Sequence, residues 1–386
     1  MRRHQRLLNY TTFTLTLSYE IIGPILPVYI YSALGASESE VGILVSLAAV
    51  SSALSRIPAS MLAVRRNALR ILILGITLNT VALLGYAIST TSWMLGVFRV
   101  LQGVTFALNY TLTLSLASLI MAPEEARKSV ANYTAYVALG LWTGPAIGVA
   151  LSYLMDLRML MASAALISLI AVFLGAAFAK TRPPLWEESY YSKITPSLIR
   201  DVLREPLLLP TLLYLLYSIT IGGVFAYGPL KASIELGIPD HLILAIFTGY
   251  YLITYITRTI LSRYVGRINV VRFLEISMAS CAIGALIAGL APNTPLFIIG
   301  LYLVAMAHGL TFPLTAAITA HVVRPNLRIL GNSIYLTSWD IGNLFGPIII
   351  ALLLNAIPLS MAFASLCIYP VMAAVLASRL VRILST

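Results

Sequence analysis

The chain is a succession of apolar runs, each about twenty residues long and nearly free of charge, such as Leu69–Ser89, Leu157–Ala179 and Val270–Leu290. At about 1.5 Å of rise per residue, a helix of that length crosses the roughly 30 Å of hydrocarbon in a bilayer. In lipid each backbone N–H and C=O must find its partner inside the segment, so each run reads as a helix. A soluble fold is excluded by the same pattern. Charged residues make up 10% of the 386 and hydrophobic ones 59%, whereas a soluble domain carries roughly 25% charged residues.

Apolar runs between turn residues give twelve spans: 7–34, 40–63, 69–89, 92–121, 129–153, 157–179, 207–232, 240–262, 270–290, 295–321, 330–354 and 358–380. Ser37 with Glu40 makes a capping box before span 2, Asp240 follows Pro239 before span 8, and Asn293-Thr294-Pro295 turns the chain before span 10. Arg2, Arg3 and Arg6 ahead of an apolar run resemble a signal peptide. The run continues to about Leu34 with Glu20 and two prolines inside it, so it is read as a retained first span.

The formal charge of +11 is a matter of sidedness. Arg65, Arg66 and Arg70 lie between spans 2 and 3, and Arg127 and Lys128 between spans 4 and 5. Lys180 to Arg204 follow span 6, Arg263, Arg267 and Arg272 follow span 8, and Arg324 and Arg328 follow span 10. The alternate loops hold only Arg158 and Lys231. Basic loops stay in the cytoplasm, so both termini are expected there in a multi-pass protein of the cell membrane. The basic clusters orient the chain and do not point to nucleic acid. Arg56 and Arg258, near cytoplasmic span ends, read as snorkelling or loop-locking residues.

Lys180–Pro206 is polar and carries Arg182-Pro183-Pro184, and Thr195-Pro196 opens a short amphipathic helix. It divides the chain into an N-terminal six-span bundle (1–179), a central cytoplasmic loop (180–206) and a C-terminal six-span bundle (207–386). Shifted by 202 residues, the halves align without a gap. Pro27 meets Pro229, Gly35 meets Gly237, Arg56 meets Arg258 and Tyr133 meets Tyr335; Gly140, Gly144 and Pro145 meet Gly342, Gly346 and Pro347. Two parallel repeats related by an axis along the membrane normal are a transporter architecture. No P-loop, HExxH or GxSxG motif occurs in the sequence. An enzyme is therefore not expected, nor any cofactor or metal. Cys281 and Cys367 lie inside spans and read as lipid- or core-facing thiols.

Three motifs then resemble the major facilitator superfamily across the whole chain. RVLQG at Arg99–Gly103 is similar to the family's RxxQG in span 4, and GLWTGPAIG at Gly140–Gly148 to the GP pattern of its antiporters in span 5. The loop SMLAVRRNALR and its copy SRYVGRINVVR resemble the family's 2–3 loop, with Val64 and Gly266 where relatives carry Asp. The resemblance implies an all-α integral membrane protein of two parallel six-helix repeats, with spans 1, 4, 7 and 10 lining a central cavity. It places the Gly-Pro motifs, Gly140, Gly144 and Pro145 with Gly342, Gly346 and Pro347, in helices that meet across the two bundles.

Ionisable groups at membrane depth are costly and mark function. Glu20, Arg99, His308 and Asp340 have no counterpart in the repeat, where Gly222, Leu301, Phe106 and Ala138 stand. Scaffold residues repeat, so this asymmetry is expected of a coupling and substrate site, to which Gln102 of the motif is added. Glu20 is the expected proton carrier, paired or alternating with Arg99. Phe106, Tyr110, Tyr217 and Tyr227 are the expected cavity lining. The expected activity is proton-coupled export of small amphipathic compounds by a protein that works as a monomer in the lipid bilayer. The alternatives are an uptake symporter or facilitator for a sugar, carboxylate or amino acid, and, from a different class, a membrane receptor or membrane-embedded enzyme.

Overall fold

A computed structural model describes residues 3–63, 68–120, 123–183, 207–264, 269–323 and 328–384. The expected amphipathic helix after Thr195 and the loop arginines Arg65, Arg66, Arg267 and Arg324 lie outside the described residues. The described residues form helices and no strands. Among the described residues eleven helical segments are long and apolar enough to cross a membrane, and the helix carrying Arg99 is a further one of 28 residues.

Span 1 is broken. Helix α1 (Arg3–Glu20) ends at a 3-10 turn (Gly23–Ile25), and α2 (Leu26–Ser32) completes the crossing. Pro24 and Pro27 have no N–H, so the carbonyls of Glu20 and Gly23 lose their ordinary helical donors and the regular helix stops beside the acid. There follow α3 (Glu38–Ala63), α4 (Ala68–Ile88), α5 (Ser92–Leu119), α6 (Pro123–Ser152) and α7 (Leu157–Lys180). The second half comprises α8 (Leu208–Ile234), α9 (Asp240–Tyr264), α10 (Val270–Leu290), α11 (Thr294–Val322) and α12 (Arg328–Leu353). Span 12 is broken like span 1, into α13 (Leu359–Ala364), a 3-10 turn (Ser365–Cys367) and α14 (Ile368–Leu384).

Two of the expected caps form. The Ser37 amide donates to Glu40 Oε2 at 2.8 Å and the Glu40 amide to Ser37 Oγ at 3.3 Å, a reciprocal capping box. The Leu296 amide donates to Asn293 Oδ1 at 3.1 Å.

The first compact unit comprises Met1–Gly35 and Leu47–Ile194. In it α1 packs on α6 and α7, and α4 on α5 and α7. The core includes Leu8, Leu15, Leu72, Ile76, Leu112 and Phe178, all buried. Packing is supplemented by polar contacts: Asn79 Nδ2 donates to Ser168 Oγ at 3.0 Å and Thr80 Oγ1 to the same atom at 2.9 Å. His4 Nδ1 lies 3.3 Å from Thr181 Oγ1, so the start of span 1 and the end of span 6 share one end of this unit, as six crossings require.

The second unit comprises Ala36–Ser46 and Thr195–Thr386. Here α8 packs on α12 and α14, and α10 on α11. Pro370 deprives the Leu366 carbonyl of its helical donor, and Thr220 Oγ1 of α8 supplies one at 3.0 Å.

The 202-residue repeat is visible in geometry. Gly35 and Gly237 close their helices with φ of 68° and 61°, a left-handed conformation that suits a residue without Cβ. Thr113 Oγ1 lies 3.1 Å from the Tyr133 hydroxyl, and the equivalent Thr315 Oγ1 lies 2.6 Å from that of Tyr335.

Candidate functional site

In the first unit the candidates gather around the break in span 1. Glu20 is the last residue of α1 and half-buried. Its carboxylate reaches toward the turn: a Cβ built on Gly23 would lie 3.3 Å from Glu20 Oε2. A Cβ on Gly144 would lie 2.6 Å from Glu20 Cβ and 2.9 Å from its carbonyl carbon. Tyr110 of α5 is an electrostatic neighbour of Glu20. Phe106 lies between Tyr19, which it meets edge-on with centroids 5.5 Å apart, and Tyr110, whose ring is tilted to it at 4.5 Å.

Arg99 and Gln102 of the RVLQG motif form one network with a tyrosine the sequence reading passed over. Arg99 donates to Gln102 Oε1 at 2.5 Å, and the Tyr86 hydroxyl donates to the same oxygen at 2.5 Å. The motif spacing explains this: residues three apart on a helix share a face, so Gln102 can hold the guanidinium.

The Gly-Pro motifs are sites of close helix approach, and a Cβ on Gly42 of α3 would lie 2.8 Å from the Pro347 carbonyl oxygen. Their glycines pack inside each unit, against the broken or proline-bearing helix beside them. Cβ atoms on Gly140 and Gly144 would strike Thr16 and Glu20 of α1, the former 2.8 Å from Thr16 Cβ. Cβ atoms on Gly342 and Gly346 would strike α8, at 2.6 Å from the Ser218 carbonyl carbon and 2.6 Å from the Gly223 amide nitrogen. Helix α6 thus lies on α1 as α12 lies on α8, and the small residues permit that approach.

In the second unit an aromatic cluster surrounds a cation. Tyr214 stacks on Tyr335 at 4.7 Å and on Trp339 at 5.8 Å between centroids. His308 Nδ1 lies 2.9 Å from the Tyr250 hydroxyl, and its ring is 6.2 Å from that of Tyr217. The Arg258 guanidinium stands over the Phe312 ring at 5.6 Å. Arg258 is therefore not a snorkelling residue. Its Nε is buried and has no hydrogen-bond partner, and Tyr214, Tyr217, Tyr250 and Tyr335 are its electrostatic neighbours.

Of the other expected residues, Asp340 is 3% exposed on α12. Tyr217 is fully buried within the cluster and its hydroxyl has no hydrogen-bond partner. Tyr227 stands elsewhere, because ten helical residues place it about 15 Å from Tyr217. Its hydroxyl donates to the Glu38 carbonyl at 2.9 Å, so it braces the start of α3 and does not line the aromatic cluster. Among the described residues no group of three or more His, Cys, Asp or Glu side chains is placed to hold a metal ion.

A helical membrane protein built as two repeated six-span units, each with its own buried polar or charged cluster, belongs to the class of solute transporters. The sequence profile of the Major Facilitator Superfamily matches residues 8–239 and 213–385, and the chain belongs to that family: it is a transporter, not an enzyme. Curated protein sequences gave no match. Among solved structures it is similar to a bacterial homolog of the human lysosomal transporter Spinster, in an inward-facing, unoccupied conformation. The TM-score is 0.77 at 14% identity, over 98% of this chain and 97% of that one. It is similar also to the nucleoside transporter NupG, with a TM-score of 0.74 at 14% identity over 100% of both chains. The human organic anion transporter MFSD10 gives a TM-score of 0.69 at 15% identity, over 98% of this chain and 100% of that one.

Proposed function

We propose that this protein is a secondary active transporter of the cell membrane that exports a small organic solute in exchange for protons, by alternating access, with Glu20 as the proton-carrying acid. One observation carries the reading. The acid sits at the break of span 1, with its Cβ and backbone against Gly144 of the antiporter-like motif. A carboxylate in an apolar surround favours its protonated form, and one beside a donor or cation favours the ionised form. A shift of α6 along α1 moves Glu20 between such surroundings and couples protonation to the conformational change. Arg99, held by Gln102 and Tyr86, tunes that acid from α5.

Both termini are cytoplasmic in this reading, and the monomer is the working unit. The fold neighbours name different solutes, a nucleoside and organic anions, so the solute is set by side chains and not by the fold.

The test is proton movement in proteoliposomes containing the purified full chain, screened over a panel of neutral, cationic and anionic amphipathic compounds. A compound loaded inside should drive protons inward as it leaves. Compound flux with no accompanying proton flux would contradict the exchange.

A further inference from the structure

The second unit holds an arginine, Arg258, that no acid neutralises among the described residues. Among the described residues no carboxylate pairs with Arg258, and its buried Nε makes no hydrogen bond. The Tyr217 hydroxyl in the same cluster is also buried without a partner. A charge at membrane depth is expensive, and one unmatched hydrogen-bonding group beside it adds to the cost. Two such groups facing one aromatic cluster are what an absent ligand would leave behind.

The cluster also lacks the symmetry of the scaffold. Arg258 repeats as Arg56, yet Tyr214, Tyr217, Tyr250 and Trp339 stand where the first half has Thr12, Leu15, Ala48 and Val137. A structural arginine common to both halves needs no such surround in one of them. Arg258, Phe312, His308 and Trp339 each keep part of their surface open, whereas Tyr214, Tyr217, Tyr250 and Tyr335 behind them are buried. The partly exposed groups are thus the cation and three rings, with four buried phenols beside them.

We infer that Arg258 and the Tyr217 hydroxyl bind the anionic group of the solute, and that the Phe312 and Trp339 rings take a planar apolar body, making the transported compound an aromatic monoanion such as an aryl carboxylate. The guanidinium offers its fork of N–H donors to both carboxylate oxygens, and Tyr217 donates to one of them. One arginine balances one negative charge. A second charge on the solute would meet no cation among these residues, so polyanions are disfavoured. The inference rests on the transporter reading and names its substrate class.

Equilibrium binding of radiolabelled naphthoate to the purified full chain in detergent, with naphthamide as the neutral analogue of the same shape, tests it. Naphthoate should bind at least about tenfold more tightly than the amide, the difference expected of a charge-assisted hydrogen-bonded pair. Arg258→Gln should bring naphthoate down to the level of the amide and leave the amide unchanged. A merely structural arginine would move both ligands alike. Should Arg258→Gln not fold, Arg258→Lys and Tyr217→Phe carry the test, each expected to weaken naphthoate about threefold or more with naphthamide unchanged. Equal binding of acid and amide, no binding of either, or naphthoate affinity unaltered in these variants would overturn the inference. Binding is read here with no proton gradient. A protein that fails to exchange protons but prefers naphthoate sinks only the coupling reading, and one that exchanges protons but ignores naphthoate sinks only this one.

Discussion

Glu20 and Gly144 meet so closely that the glycine cannot carry a side chain: a Cβ there would fall 2.6 Å from the acid's own Cβ and 2.9 Å from its carbonyl carbon. These atoms include backbone, which has no rotamer by which to yield. Gly144→Ala is therefore expected to force α6 off α1 at a cost of about 1–3 kcal/mol, the usual range for overpacking. Thermal unfolding in detergent should show a lowered midpoint. An alanine variant as stable as the parent would mean that this contact is not tight.

The Lys231–Glu235 pair at the end of α8 makes a second test. Lys231 is 1% exposed and Glu235 29%, and Glu235 Oε1 also accepts from the Ser360 amide at 3.1 Å. Glu235→Gln leaves an ammonium buried without its counter-ion. Losing a partner of a buried pair costs about 3–5 kcal/mol, and partial exposure of the acid brings the expected loss nearer ~2 kcal/mol. Lys231→Met combined with Glu235→Gln should recover most of it. A double variant no more stable than Glu235→Gln alone would contradict this account.

A third test concerns the break in span 12. Thr220 is the donor that replaces the N–H missing at Pro370. Thr220→Val keeps the shape and removes the hydroxyl, leaving the Leu366 carbonyl unpaired in a buried site at about 1–3 kcal/mol. Thr220→Ser should retain most of the stability, because it keeps the donor. Equal loss in both variants would point to packing and not to the hydrogen bond.

What was legible in the sequence was what depends on local pattern. The spans follow from twenty-residue apolar runs, and the Ser37–Glu40 box and the Asn293 cap from residues three apart. The hydrogen bond from Arg99 to Gln102 needed the structure, since the motif alone does not say which partner the guanidinium takes. The second cluster was hidden because Tyr214, Arg258, Phe312 and Tyr335 come from four helices, and only packing joins them. One clue was present: Arg258 repeats while Tyr214, Tyr217 and Tyr250 do not, so the asymmetry lay around the charge and not in it. The Gly-Pro motifs show the same limit of local pattern. Small-residue spacing reveals that a helix is approached closely, and not which helix approaches it.

Sidedness can be read by labelling single cysteines in a Cys281→Ser, Cys367→Ala background. Lys180→Cys, at the exposed end of α7, should react only with a membrane-permeant reagent in intact cells. Ala356→Cys, exposed just beyond α12, should react with an impermeant one. Labelling of both positions from the same side would overturn the twelve-span topology with cytoplasmic termini.

The central claim is that Glu20 carries the proton, and uphill transport by neutralised variants at matched expression tests it most directly. Glu20→Gln keeps size and hydrogen bonding and cannot titrate. Compared with Asp340→Asn and His308→Gln, it should abolish proton-driven accumulation while retaining solute binding and solute–solute exchange. The other two variants should still move solute uphill. Normal proton-driven transport in Glu20→Gln, or its loss only in Asp340→Asn or His308→Gln, would contradict the account.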